Sequence, residues 1–180
     1  MSVDLFRDLP AGDKAPEEIN VVVEIPFGSS NKYEYDEKKG YFKLDRILHS
    51  AMFFPYEYGF IPQTKSKDGD PLDVMLLTTC PTFPGCLIKA RPVGVIYMED
   101  EEGIDNKIIA VPLHKVNPNF EKIKDISDLN EHTKDVIKVF LEDYKKLEKA
   151  KYKFVKVKNW DNRSQAIKII KEAIEDYKSK

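Results

Sequence analysis

The 180-residue sequence has only two cysteines, Cys80 and Cys86, and this scarcity excludes a disulfide framework. No further Cys or His lies near them in the chain, so we interpret both as ordinary thiols. No apolar run reaches the length of a membrane span, so we expect no membrane partner. The N-terminus lacks the basic and apolar regions of a signal peptide, and we therefore expect a cytoplasmic protein.

An excess of positive charge is also missing. Lys plus Arg number 29 and Asp plus Glu number 31, which gives a net charge of −2. Because non-specific binding to nucleic acid needs a basic footprint, we expect no nucleic-acid partner. The chain contains no repeat, no low-complexity tract and no Gly/Ser linker, and its length suits one domain with a real core. We predict a single domain over residues 1–180.

Short apolar segments, separated by Pro and Gly, make up most of the first two-thirds of the chain. This pattern is typical of strands in a closed or partly open barrel. The last third changes to apolar residues at helical spacing, such as Val136 and Phe140, then Ile167 and Ile170. We predict an α+β protein, mainly β, with two helices packed outside a small barrel. The predicted strands are residues 21–25, 32–36, 41–47, 74–77, 87–90, 93–98, 108–111 and 152–158; the predicted helices are residues 129–149, capped by Ser127 or Asn130, and residues 164–177, capped by Asn162 or Ser164.

Three aspartates, Asp68, Asp70 and Asp73, stand within six residues. Carboxylates held so close repel one another unless they are solvated, share protons or hold cations. Their hard oxygen atoms suit Mg²⁺, Mn²⁺ or Ca²⁺. An EF-hand loop is not indicated, because its sixth position would be Asp73 where Gly is required and its twelfth would be Thr79 where Glu is required. By itself the cluster leaves a metal site and a solvated acidic turn as alternatives, although Pro71 stiffens it.

Further acids and cations extend this pattern. The acidic stretch 99–105 lies between two predicted strands, where it is either a solvated hairpin tip or a second loop at the rim of the barrel. Glu24 interrupts an apolar strand, and a buried glutamate is rarely unpaired. Arg46, in a predicted strand, suggests an oxyanion clamp. Carboxylates together with Lys, Arg and Tyr form the inventory of metal-assisted phosphoryl hydrolysis, whereas a Gly-rich phosphate loop is missing.

Taken together, these residues resemble the family I soluble inorganic pyrophosphatases in their short prokaryotic form. The signature Asp-x-Asp-Pro-x-Asp occurs here as Asp68-Gly69-Asp70-Pro71-Leu72-Asp73. Supporting motifs follow in order from Leu9 to the last predicted helix. They are Glu24-Ile25-Pro26, Lys32-Tyr33-Glu34, Asp45-Arg46, Tyr58-Gly59, Arg91-Pro92-Val93-Gly94-Val95, Asp100 with Asp105 and Lys107, and Tyr144-Lys145.

The resemblance implies a five-stranded barrel like that of oligonucleotide-binding folds, with peripheral helices, in a homohexamer. It also implies hydrolysis of pyrophosphate to two phosphates with several Mg²⁺ ions per subunit, for which Mn²⁺ or Zn²⁺ would substitute. By position, Asp70 would be the general base on a metal-activated water. The metal ligands would be Asp68, Asp73, Asp100, Asp105 and Glu24, the last mainly through bound water. The phosphates would be held by Lys32, Arg46, Lys107, Tyr144 and Lys145, with Tyr58 and Glu34 completing the pocket. Phe54 departs from the family pattern, because many relatives have Tyr there.

Two rival functions stay open. One is a hydrolase of nucleotides or longer polyphosphates on the same metal site, although no nucleotide motif favours it. The other is a non-catalytic binding module, since small barrels often bind nucleic acid. The net charge of −2 and the full set of acids and cations disfavour this second alternative.

Overall fold

The computed structural model describes residues 3–179, and within this range it contains nine strands and three α-helices. The strands are β1 (Ile19–Ile25), β2 (Asn31–Asp36), β3 (Tyr41–Ile47), β4 (Glu57–Phe60), β5 (Asp73–Leu76), β6 (Leu87–Asp100), β7 (Gly103–Ile104), β8 (Lys107–Pro112) and β9 (Lys156–Asn162). The helices are α1 (Glu131–Asp143), α2 (Lys149–Tyr152) and α3 (Arg163–Lys178). The predicted class, mainly β with peripheral helices, is confirmed.

Five strands form a closed ring. β1 pairs with both β4 and β6, β4 pairs with β5, β5 runs parallel to β8, and β8 returns to β6. A ring leaves no unpaired edge among its own members, which explains how such short strands are stable. β2 and β3 form a separate hairpin beside the ring, and β9 pairs with the far half of β6.

The prediction of two separate strands at 87–90 and 93–98 is wrong, because β6 is one continuous strand of 14 residues. The register shifts between Pro92 and Gly94, where the strand pairs with β8. Proline lacks the N–H that a ladder needs and is tolerated at such a bulge. β4 was not predicted from the sequence at all.

Alternate residues of the ring strands point to two cores, as the two-residue period of a strand requires. Val74 and Leu76 of β5 join the cluster that contains Ala166 and Ile170 of α3. Met75, between them, joins the cluster that contains Ile137, Phe140 and Tyr144 at α1. The two helices therefore cover opposite faces of the strands.

The predicted helix 129–149 is too long, because α1 ends at Asp143. Leu147, whose helical spacing extended the prediction, is 59% exposed, so it belongs to no buried stripe. The chain turns after Tyr144, forms the short α2, which was not predicted, and enters β9 later than the predicted strand 152–158. Both main helices begin at predicted caps, since Asn130 accepts from the Thr133 N–H and Asn162 from the Gln165 N–H. Within residues 3–179, no helix is long and apolar enough to span a membrane.

Candidate active site

A pocket of about 380 Å³ opens between the ring, the β2–β3 hairpin and the chain that follows α1. The structure places every site residue predicted from the sequence on its wall. These residues are Glu24, Lys32, Glu34, Arg46, Tyr58, Asp68, Asp70, Asp73, Asp100, Asp105, Lys107, Tyr144 and Lys145. Their individual roles stay predictions.

The first acidic stretch, residues 68–73, leads from the β4–β5 loop into β5. Backbone hydrogen bonds shape it: the Asp70 N–H donates to Asp68 Oδ1 at 3.0 Å, and the Ser66 N–H donates to the Asp70 carbonyl at 2.7 Å. Gly69, with φ of +102°, adopts a left-handed conformation that suits glycine. Burial, together with the charges of Asp105 and Asp73, raises the pKa of Asp68 to about 6.

Asp73 stands at the start of β5 and has two partners. Its Oδ2 accepts a hydrogen bond from the Tyr58 hydroxyl at 2.7 Å and forms an ion pair with Lys107. Lys107 also pairs with Asp105, so one buried ammonium group joins the two acidic stretches. Burial opposes the charge of Lys107, but Asp73, Tyr58 and Asp105 raise its pKa well above the ordinary value.

The second acidic stretch, residues 99–105, lies at the end of β6 and around β7. Lys145 Nζ lies 2.8 Å from Asp100 Oδ2 and 2.9 Å from Glu101 Oε2, and Lys151 lies 3.1 Å from Glu101 Oε1. Burial would raise the pKa of Glu101, yet hydrogen bonds, including those from Lys145 and Lys151, lower it to about 2. Asp100 and Glu101 are therefore paired with lysines of the chain itself, whereas burial and the neighbouring acids raise the pKa of Glu102.

Glu24 is aimed at the pocket by a break in the β1 ladder. Val23 pairs with Gly59 and Ile25 with Tyr58, so Glu24 is the extra residue of a β-bulge. Its Oε1 accepts from the Tyr35 N–H at 2.7 Å. Burial, and next the charge of Asp73, raise the pKa of Glu24 to about 8.

Lys32 and Arg46 are directly opposite each other in the β2–β3 hairpin and form the basic wall. Lys32 pairs with Glu34 and, at 3.6 Å, with Asp45. Arg46 donates from Nε to Glu148 Oε1 at 2.9 Å and from Nη1 to Asp45, while its buried Nη2 has no partner among the described residues. One nitrogen of the guanidinium fork thus lacks an acceptor, which suits a group that would bind an oxyanion.

Aromatic rings support the floor of the pocket. Tyr144 stacks on Phe140 with ring centroids 5.1 Å apart, and Phe54 lies 4.7 Å from Phe140 and 5.5 Å from Tyr58. Phe54 is buried and is not among the residues that line the pocket. The departure from Tyr at this position therefore falls in the packing beneath Tyr58 and Tyr144.

Three wall residues, Asp45, Glu101 and Lys151, were not identified from the sequence, and neither was Glu148, which contacts Arg46 but does not line the pocket. Asp45 and Glu101 are neighbours of predicted site residues, and their acidity next to Arg46 and Asp100 was an available signal. The contact of Glu148 with Arg46 spans 102 residues, so no local pattern indicates it.

The oxygen-rich donor set of the pocket fits Mg²⁺, which prefers carboxylates and water to sulfur or imidazole. Across residues 3–179, no three His, Cys, Asp or Glu side chains are already gathered into a metal cluster. Lys107 and Lys145 instead pair with three of the carboxylates that a cation would use, Asp73, Asp105 and Asp100. The pKa values of Asp68 and Asp70 are raised by partial desolvation and by the neighbouring carboxylates, and a bound cation would relieve this repulsion.

Comparison with known proteins agrees with this geometry. Residues 21–178 match the model of the inorganic pyrophosphatase family. The chain is 51% identical to the inorganic pyrophosphatase of Saccharolobus solfataricus over 167 residues, covering 93% of this chain and 96% of that protein. The relative from Aquifex pyrophilus is 49% identical over 173 residues, with 96% and 97% covered. The crystal structure of the Thermus thermophilus enzyme superposes with a TM-score of 0.92 at 46% identity, covering 98% of this chain and 99% of that one. The chain belongs to the inorganic pyrophosphatase family.

Proposed function

We propose that this protein hydrolyses inorganic pyrophosphate to two phosphates, with Mg²⁺ and a water molecule as the nucleophile. The observation that carries the proposal is that one pocket brings carboxylates together with Lys32, Arg46, Lys107 and Lys145. Such a pocket suits a small and strongly anionic substrate, because cations would bridge the acids to the phosphates. Family membership supports the same substrate.

Asp68, Asp73, Asp100, Asp105 and Glu24 would hold several Mg²⁺ ions, with Mn²⁺ or Zn²⁺ as substitutes. When bound, such ions lower the pKa of a coordinated water and offset phosphate charge. Asp73 suits the central position, because it already touches both Lys107 and Tyr58. The lysines would release these carboxylates as cations and phosphate arrive.

Asp70 would be the general base. Its carboxylate has no ion pair or hydrogen bond among the residues that the structure describes, whereas Asp73 and Asp105 are both held by Lys107. Burial, followed by the charges of Asp73 and Asp105, raises the pKa of Asp70. A carboxylate with a raised pKa accepts a proton more readily, so Asp70 is suited to take one from the attacking water.

The basic wall would hold the two phosphates. On substrate binding, Lys32, Arg46 and Lys145 would each replace a carboxylate partner with a phosphate oxygen. Each cation would thus keep a charge-assisted hydrogen bond with and without substrate. Tyr144 lies beside Lys145 and adds a hydroxyl to this wall. Glu34 and Tyr58 would orient Lys32 and Asp73 respectively.

The test compares phosphate release from pyrophosphate, tripolyphosphate and ATP at equal Mg²⁺. We expect pyrophosphate to be hydrolysed fastest, since a pocket of about 380 Å³ lined by acids and cations suits a short polyanion. Faster turnover of ATP or tripolyphosphate would contradict the proposed substrate. Salt-dependent binding to single-stranded nucleic acid without phosphate release would instead indicate a binding module.

We also propose that the protein is a homohexamer. A candidate contact surface is the apolar groove beside α1, where Phe53 is 59% and Val139 51% exposed. Exposed apolar groups of this size are typical of interfaces. Light scattering should give the mass of six 20.8 kDa chains, and a monomer mass would contradict the proposal.

A further inference from the structure

Thr64 is a polar residue in an apolar part of the core, at the entrance to the loop that carries Asp68 and Asp70. Its exposure is 0%, and its neighbours Ile61 and Leu72 are also buried in the core cluster beside α3. A hydroxyl in such a place needs a hydrogen-bond partner, and Thr64 has two.

The hydroxyl connects the two ends of the loop. Thr64 Oγ1 donates to the Ile61 carbonyl at 2.6 Å and accepts from the Leu72 N–H at 2.9 Å. The Ile61 N–H donates to the Leu72 carbonyl at 3.0 Å, beside this bridge. These three hydrogen bonds form a clasp at the neck of the loop, and Leu72 immediately precedes Asp73.

Beyond the clasp, the loop is held by its own backbone and by α3. The Gly69 N–H donates to the Ser66 carbonyl at 3.1 Å, and the Lys65 N–H donates to the Ala173 carbonyl at 2.9 Å. These bonds brace the loop internally and tie it to α3, while the clasp holds the neck from which the loop extends toward the pocket.

The backbone before Thr64 is strained. Gln63 has φ of +51°, and among the described residues it is the non-glycine residue with a positive φ. Its side chain donates to the Arg7 carbonyl at 2.7 Å, and its N–H donates to the Phe6 carbonyl at 3.1 Å. Surroundings that maintain such a conformation often do so at a functional site. Here the turn brings Thr64 back toward the Ile61 carbonyl.

We infer that Thr64 is a positioning residue, whose hydroxyl fixes the Asp68–Asp70 loop and the start of β5 at Asp73. This inference rests on the proposed function, because it concerns the carboxylates assigned there to cations and proton transfer. Thr64 itself is not among the residues that line the pocket, so it acts through the loop.

The test compares Thr64→Val, which keeps the shape but removes the hydroxyl, with Thr64→Ser, which keeps the hydroxyl. Thr78→Val is the matched control, because the buried Thr78 Oγ1 has no partner among the described residues. We expect Thr64→Val to weaken Mg²⁺ binding in calorimetry and to slow phosphate release about tenfold each, the scale of one lost buried hydrogen bond. Thr64→Ser should stay within about twofold of wild type for the same reason.

Two outcomes would overturn the inference. One is a Thr64→Val protein that melts earlier yet binds Mg²⁺ as wild type does, which would make the hydroxyl purely structural. The other is equal impairment in Thr64→Ser. Wild-type protein that binds Mg²⁺ but releases no phosphate from pyrophosphate would refute the proposed function, while Mg²⁺ calorimetry on the variants would still test the clasp.

A measurement on the wild-type protein tests the clasp without any variant, in case Thr64→Val does not fold. The Leu72 N–H should exchange with solvent deuterium far more slowly than the Asp70 N–H, whose acceptor Asp68 is on the exposed loop. Equal exchange rates at the two amides would overturn the inference.

Discussion

The two acidic stretches of the pocket, residues 68–73 and 99–105, are both rich in carboxylates but differ in how many of them pair with lysines. In the first, backbone hydrogen bonds set the shape, and neither Asp68 nor Asp70 has an ion pair among the described residues. In the second, lysines pair with Glu99, Asp100, Glu101 and Asp105. Burial raises the pKa of Asp68 to about 6, whereas the pKa of Glu101 falls to about 2.

This difference separates two ways of preparing a carboxylate. A carboxylate without a counter-ion binds a cation or a proton more readily, because neither neighbouring charge nor water fully stabilises its negative charge. Such carboxylates lie here where the chemistry is proposed. An acid already paired with lysine costs less to bury, but it must release the lysine before it binds anything else. Asp73 belongs to both groups, because it lies in the first stretch and pairs with Lys107.

The largest effect is expected from Asp73→Asn, which removes one of the two carboxylates that Lys107 joins. Phosphate release should fall on the order of 10²-fold or more, the scale of losing acid–base or metal-assisted catalysis. Mg²⁺ binding measured by calorimetry should weaken as well. Asp13→Asn is the control, since Asp13 is an exposed partner of Lys89, far along the chain, and should behave as wild type. Comparable loss in both variants would contradict a special role for Asp73.

A smaller effect is expected from Lys145→Met, which leaves Asp100 and Glu101 without their main counter-ion. The KM for pyrophosphate should rise about tenfold, because one charge-assisted contact to phosphate is lost. The adjacent Lys146→Met offers a matched control, since Lys146 is exposed and, within the described residues, pairs with Asp143 at the same helix end. If both variants change KM equally, the lysines of the second stretch act through net charge alone.

Tyr58→Phe should have a weaker effect, because it removes only the hydroxyl that donates to Asp73. We expect phosphate release to fall about fivefold, the value of one hydrogen bond to a charged group with partial replacement by water. Tyr56→Phe is the comparison, as no hydrogen bond of the Tyr56 hydroxyl appears in residues 3–179. Unchanged rates in Tyr58→Phe would mean that Lys107 alone orients Asp73.

The smallest effect concerns stability and pH without divalent cations. The pKa of Asp68 is 3.8 before folding and about 6 in the folded protein. Between these values the folded state binds more protons, so the contribution of Asp68 to stability decreases as pH rises. Asp68→Asn removes this loss and should melt a few degrees above wild type at pH 7 in chelator. At pH 4 the gap should be smaller. A gap that does not change with pH would contradict the raised pKa.

Much of the site could be predicted from the sequence, because its acids and cations stand in short motifs near strand ends. Glu24 was noticed as an acid inside an apolar strand, although the β-bulge that aims it at the pocket was not predicted. Residues that act through long-range contacts gave no such signal. Tertiary packing brings Glu148 to Arg46 and Thr64 to the Leu72 N–H, and neither residue type is unusual in its local segment.

For the fold as well, local patterns could be predicted from the sequence and long-range contacts could not. Hydrophobic periodicity predicted the strands and the two main helices, since burial of one face produces it. It failed at Leu147, which has helical spacing but lies in solvent, and at β4, whose four residues include Gly59 and the buried Glu57. Gly59 is required there because a Cβ would lie 2.0 Å from the Val22 carbonyl oxygen of the neighbouring strand, a contact that only the fold reveals.

The most direct test of the contrast between unpaired and paired carboxylates is Asp70→Asn, measured for both Mg²⁺ affinity and phosphate release. Asp70 is unpaired and assigned to the proton, so Mg²⁺ affinity should stay close to wild type. Phosphate release should still fall on the order of 10²-fold, the scale of lost general-base catalysis. Near-normal phosphate release, or a loss of Mg²⁺ affinity as large as that of Asp73→Asn, would contradict the assignment.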